Sequence, residues 1–288
     1  MSSEKSYDEL TIQDNFIFTK VMEQKKLMIQ LLKRIFPNED IGDIELIKSE
    51  NTMEVFYQSK GIRVDVFSET KEYLFSVEMQ VEPDSSLPKR ARYQESILNV
   101  YMLQKGKRYK ELKNAYVIFI CPTDPFNDKL VMYNYRNVCL QTGKELDDGV
   151  EKIFINCSGV NKEEYPELMP FVEYVKTNKR TKDQFVCDLD DEVNQVKLNP
   201  LRRKEYMDLQ AELWDAEDRG REEGRKEGRE EGRKEGLEEG GVGKTIELIC
   251  RKMNKGMSFN EACDVLELTA DEIEACRKRM EASSDFAL

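Results

Sequence analysis

Between residues 62 and 81 the chain reads IRVDVFSETKEYLFSVEMQV, in which the carboxylates Asp65 and Glu78 stand within apolar alternation and an amide, Gln80, follows two positions after the second. Two carboxylates that face one another can share a hard divalent cation, which polarises a phosphate and lowers the pKa of a bound water. Strand pairing decides whether they do. Taking the two halves as a hairpin with Thr70 and Lys71 as a two-residue loop, Glu69 pairs with Glu72. Val64, Val66, Phe75, Val77 and Met79 then form one apolar face. The other carries Asp65 opposite Ser76, Arg63 opposite Glu78, and Gln80 one step further on. Asp65 and Glu78 become diagonal neighbours, about 7–8 Å apart at the backbone. Spacing alone favours a plainer reading: an Arg63–Glu78 ion pair on an exposed sheet face, worth about 0.2–1 kcal/mol, with Asp65 solvated.

The elements that would position these residues follow from periodicity. Residues 12–36 place Phe18, Val21, Met22, Ile29, Leu32 and Ile35 at mostly helical spacings, and Pro37 stops the pattern, giving a first helix with a break in it. IELIKSENTMEVF predicts a strand ahead of the hairpin. After the hairpin, Ser85 and Ser86 can cap a helix with Pro88 in its first turn and Tyr93, Ile97 and Tyr101 at four-residue steps, which should pack on the sheet. AYVIFIC reads as a buried strand, and VMYNYRNVCL and EKIFIN as two more.

Composition narrows the chemistry. No histidine occurs in the 288 residues, so imidazole bases and ligands are excluded and carboxylates must do any acid, base or metal work. A net charge of -12 argues against coating nucleic acid by electrostatics alone. Seven scattered cysteines without a CxxC pair read as buried or inert thiols. There is no apolar run of about 20 residues and no secretory signal at the start, which predicts a cytoplasmic protein without a membrane partner.

The series DNFIFTKVM, RVDVFSETKEYLFSVEMQ and KRARYQESILNVYMLQKGKRY resembles the recombination-promoting nuclease and transposase family, a bacterial branch of the PD-(D/E)XK nucleases, over roughly the first 160 residues. The resemblance implies an α/β, restriction-endonuclease-like αβββαβ core with a helical C-terminal extension. It also implies that Asp65 opens the catalytic signature and Glu78-Met79-Gln80 closes it. Asp65 and Glu78 would bind Mg²⁺ or Mn²⁺, with the Met79 backbone carbonyl completing the shell. Gln80 stands where the superfamily usually has lysine. Glutamine supplies neither a positive charge nor a base, so it can only orient water or phosphate by hydrogen bonds, and reduced activity or inactivity follows as an alternative. Asp14 matches an early acidic position, as an outer metal ligand or as a residue stabilising its helix's first turn. Arg90 and Tyr93 match an arginine and tyrosine three apart on one helical face. Arg90 would grip a DNA phosphate or form a surface ion pair, and Tyr93 would touch nucleic acid or serve the core.

The predicted organisation is a nuclease-like domain over 1–180, a helical connector over 181–219, a repeat over 220–240 and a small helical tail over 241–288. In the repeat a glycine recurs every fourth residue, at about 1 kcal/mol each within a helix, against favourable i,i+4 pairs such as Glu222 with Lys226. It reads equally as a helix stabilised by a second copy of the chain and as a solvated linker. GGVGKT at 240–245 lacks the glycine that a phosphate loop needs at Glu238, so a nucleotide cofactor is rejected and Gly240 and Gly241 become a break between helices. MSFNEACDVLELTADEIEACRKRM resembles a helix-turn-helix starting at Ser258 and turning near Leu268, but its acidic residues would repel phosphate, which favours helical packing or dimerisation. Together these features predict a Mg²⁺-dependent DNA endonuclease in recombination or mobile-element biology. The alternative is a catalytically inactive nuclease-fold protein acting through oligomerisation or partner binding.

Overall fold

A computed structural model describes residues 5–53, 62–103 and 108–282, and the side chains of 49–53, 62–64, 235, 237–239 and 282 lie outside the described residues. The amphipathic stretch after residue 12 forms α1 (Asn15–Met22) and α2 (Lys25–Ile35), parted at Glu23 and Gln24. Then come β1 (Leu46–Met53), β2 (Ile62–Glu69), β3 (Tyr73–Met79), α3 (Leu87–Met102), β4 (Asn114–Cys121), β5 (Met132–Tyr135) and β6 (Val150–Asn156), followed by α4 (Met169–Thr177) and α5 (Gln184–Leu198). The order contains the expected helix, three strands, helix and strand. Only the first part of VMYNYRNVCL is a strand. The six strands form one sheet in the order β1-β2-β3-β4-β6-β5. β1 to β3 form an antiparallel meander, β3, β4 and β6 run parallel, and β5 returns antiparallel on the edge.

Helices cover both faces of this sheet, which is why β4 is apolar at nearly every position rather than alternating. On one face Phe67, Leu74, Val117, Phe119 and Phe154 pack beneath Leu87, Ala91, Ile97 and Leu98 of α3. On the other Phe75 and Tyr116 stack on one another and meet Phe36, just after α2. Val66, Phe75, Val77 and Met79 are buried here, as the alternation in the hairpin predicts, while Val64 lies among the undescribed side chains.

The hairpin register differs from the predicted one by two residues. Val66 pairs with Val77, Phe67 with Ser76 and Glu69 with Leu74, so the two-residue loop is Lys71-Glu72. Thr70 decides this. Its backbone N–H donates to the Tyr73 carbonyl (2.9 Å), its hydroxyl accepts from the Tyr73 N–H (3.1 Å), and Lys113 donates to its own carbonyl (2.6 Å). A buried threonine closing the turn on itself is held one step inside the loop, where sequence spacing had placed it at the tip.

α3 also turns differently from its tyrosine spacing. Its buried row is Leu87, Ala91, Gln94 and Leu98, and Tyr93 is exposed. Ser86 stands at the N-cap without a side-chain capping bond. The row chosen presents small Ala91 and unbranched Gln94 to the sheet, which lets the helix lie close over Phe119.

A close approach supports the loop after β6. A side-chain carbon at Gly159 would lie 2.5 Å from the backbone of Val131. Gly159→Ala should therefore destabilise the protein by about 1–3 kcal/mol, because backbone must shift to admit the methyl. Urea denaturation followed by circular dichroism checks this, and an unchanged midpoint would show that the loop yields freely.

The chain divides into two compact units, Met1–Met207 and Asp208–Leu288. The first continues past residue 180, because α5 packs against α1, α2 and α4. α6 (Pro200–Met253) is one continuous helix, so the break expected at Gly240 and Gly241 does not occur and the repeat is helical. Each interior glycine still costs about 1 kcal/mol, which packing of the following turns offsets. Directly after the glycines, Val242, Ile246, Ile249 and Met253 are anchored in an apolar cluster with α7 (Phe259–Val265) and α8 (Ala270–Ala282). Ser258 and Glu261 form a capping box at the start of α7, and Thr269 bonds Glu272 in the same way ahead of α8. Among the described residues no helix is long and apolar enough to cross a membrane.

Candidate active site

Parity keeps Asp65, Glu78 and Gln80 on one face of the hairpin despite the shift, since moving a register by two residues leaves every side chain on its side. The new register brings the carboxylates closer. Asp65 and Glu78 are each the next residue outward from the Val66–Val77 pair, facing rather than diagonal. The Met79 N–H donates to Asp65 Oδ2 at 3.0 Å, which draws that carboxylate along β3.

The face carrying them is not exposed. α3 lies over it, and Glu78 retains only 4% of its accessible surface. Its Oε1 accepts from the Gln94 side-chain amide and its Oε2 from Arg90 Nη2 at 3.2 Å. Arg63, the partner expected from spacing, has its side chain outside the described residues. Burial pushes the Glu78 carboxyl up to about 8, the nearby Asp65 carboxylate adds to the rise, and Arg90 and Gln94 oppose it without cancelling it. Removing a carboxylate from water beside another carboxylate is unfavourable unless a cation is at hand.

Arg90 reaches the site from α3, lying over the Phe119 ring with 5.7 Å between guanidinium carbon and ring centroid. Its Nη1 donates to Gln80 Oε1 at 2.7 Å and to Asp84 Oδ2 at 3.2 Å, while Nη2 holds Glu78. The Ser86 side chain and N–H hold Asp84 below the usual carboxylate range, with Arg90 reinforcing the effect. The other end of the Gln80 amide is also held: its Nε2 donates to the Glu82 carbonyl at 2.6 Å. Gln80 thus seats an arginine at the place where lysine would bring its own charge.

Asp14 stands elsewhere in this bonding pattern. Its carboxylate accepts from Lys5 Nζ (3.0 Å) and from the Thr11 N–H (2.6 Å), contacts that fasten the approach to α1. Tyr93 is 39% exposed on α3. Two residues emerge that sequence reasoning did not single out: Gln94, which binds Glu78, and Asp84, which binds Arg90. Gln94 had a legible signal, a polar residue on the same helical row as Leu87, Ala91 and Leu98. Asp84, in an irregular loop, had none.

The donor set suits a hard cation that keeps its own waters. Among the described residues no group of three or more Asp, Glu, Cys or His gathers into a closed metal cage. Two carboxylate side chains without soft ligands are the donor chemistry of a hard divalent cation rather than of zinc.

A mixed six-stranded sheet sandwiched by helices, with paired carboxylates at the end of a central hairpin, is consistent with the PD-(D/E)XK class of nuclease folds. A family model described as PD-(D/E)XK nuclease family transposase matches residues 15–213, and the chain belongs to that family. Membership points to a nuclease- or transposase-related role. Searches of curated proteins and of solved structures found no match.

Proposed function

We propose that the protein is a metal-dependent DNA endonuclease that hydrolyses phosphodiester bonds, acting in recombination or mobile-element biology. The observation that carries this reading is the burial of Glu78 beside Asp65 on the hairpin face that α3 covers. Arg90 brings one positive charge to two carboxylates, so the pair stays costly and a divalent cation would offset it. Asp65, Glu78 and the Met79 carbonyl would hold Mg²⁺, or Mn²⁺ in its place. The bound ion supplies electrophilic stabilisation of the phosphate and an acidified water. The side chains then have separate tasks. Asp65 and Glu78 provide the anionic ligands, Gln94 orients Glu78, and Gln80 holds Arg90 where a phosphate oxygen can be met by a planar two-pronged donor. Gln80 cannot take a proton from water, so it positions rather than acts as a base.

The test is cleavage of supercoiled plasmid DNA by the purified full chain with Mg²⁺, with Mn²⁺ and with EDTA. Nicked or linear product only in the metal-containing reactions is the expected result. Intact plasmid under all three conditions would overturn the catalytic reading in favour of a non-catalytic partner-binding protein. Asp14 and Tyr93 are proposed as peripheral contributors, and their alanine variants should retain most of the cleavage.

A further inference from the structure

Both oxygens of Glu78 are already occupied within the protein, by Gln94 on Oε1 and by Arg90 on Oε2. A divalent cation can use the lone pairs that remain on this carboxylate, but it then lies close to both donors and is repelled by the charged one. Gln94 is 3% exposed, on the buried face of α3 against the sheet, which leaves its side chain little room to withdraw. Arg90 is different. Its side chain is 41% exposed, against 5% for that of Glu78.

The two guanidinium nitrogens also divide the work. Nη2 holds Glu78 alone among the bonds described, while Nη1 holds Gln80 and Asp84 at 2.7 and 3.2 Å. Letting go of Glu78 therefore leaves Arg90 tethered at the site and frees Nη2 for another anion. The guanidinium is always charged, so it cannot share a buried carboxylate with a divalent ion without repulsion.

Resting on the metal-dependent reading above, we infer that Arg90 is an exchangeable partner of Glu78: it pairs with that side chain in the metal-free protein, yields it to the metal, and swings about its Gln80–Asp84 tether to bind a DNA phosphate. The cation that leaves is the one that receives substrate.

Calorimetric titration of the full chain with Mn²⁺, without DNA, tests the exchange. Arg90→Gln, which keeps hydrogen-bonding capacity and removes the charge, should bind Mn²⁺ about tenfold tighter than the parent chain. Arg90→Lys, which keeps the charge, should bind it about as the parent does. Equal or weaker binding by Arg90→Gln, or equal tightening in both variants, would overturn the exchange. If the parent chain binds no Mn²⁺ but Arg90→Gln does, and Asp65→Asn abolishes that binding, the exchange is upheld with Arg90 dominant. If neither the parent nor Arg90→Gln binds, the metal reading falls, and the exchange with it.

Discussion

Alanine at Asp65 or at Glu78 is expected to lower Mg²⁺-dependent plasmid cleavage by about a thousandfold or more, with the fold intact. Each carboxylate is half of a two-residue anionic donor set, and the third acidic side chain there, Asp84, is held by Arg90 and the Ser86 N–H. Removing either takes away a ligand to the ion that would stabilise developing charge, an effect of several kcal/mol on the barrier. The two variants should nonetheless differ in one respect. Asp65 is partly exposed and held by the Met79 N–H, so its loss removes function with little effect on stability. Glu78 is buried, and its loss leaves Arg90 with Gln80 and Asp84 only. Gel-based cleavage assays with circular dichroism as the folding control check both. Cleavage by either variant at the parent rate would remove that residue from the catalytic centre.

Glu78→Gln should make the metal-free protein more heat-stable, by an amount that grows with pH. The sign follows from the direction of the shift. Folding raises the Glu78 carboxyl from the usual range near 4.5 to about 8, so the folded state keeps a proton that the unfolded chain gives up. The favourable contribution is complete below the unfolded value, declines as pH rises from about 4.5, and is gone above about 8, where the buried carboxylate must be ionised. Glutamine at this position never ionises. In EDTA the variant should match the parent near pH 5 and exceed it by roughly a few kcal/mol near pH 8.5, on the order of 5–10 °C in melting temperature. Adding Mn²⁺ should raise the parent's melting temperature at the higher pH and leave the variant's nearly unchanged. A melting difference that stays flat from pH 5 to 8.5 would contradict the raised carboxyl.

The alternation in residues 62–81 was enough to place Asp65, Glu78 and Gln80 on one strand face, because side-chain sidedness depends only on the parity of the register. The register itself was not legible. It turned on whether Thr70 sat in the loop or closed it, and that depends on burial and on a bond from Lys113, which arrives from beyond α3. The partner of Glu78 was hidden for the same reason. Within the hairpin the nearest cation by spacing was Arg63, whereas the described bond comes from Arg90, brought across by the packing of α3 on Phe119 and Phe154. The tail shows the reverse failure. Local glycine chemistry at Gly240 and Gly241 argued for a break, and the apolar residues that anchor the helix immediately afterwards overrode it.

By itself, then, the sequence determined the chemical types available, with carboxylates and an amide but no imidazole or lysine at the site, and the side of the hairpin on which they stand. Only the tertiary structure decided that α3 buries Glu78 on this side, that Asp65 lies beside it, and that an arginine seated on Gln80 pairs with it. Residue type and strand parity are local properties of the chain, whereas burial and charge pairing depend on which distant element packs against which face.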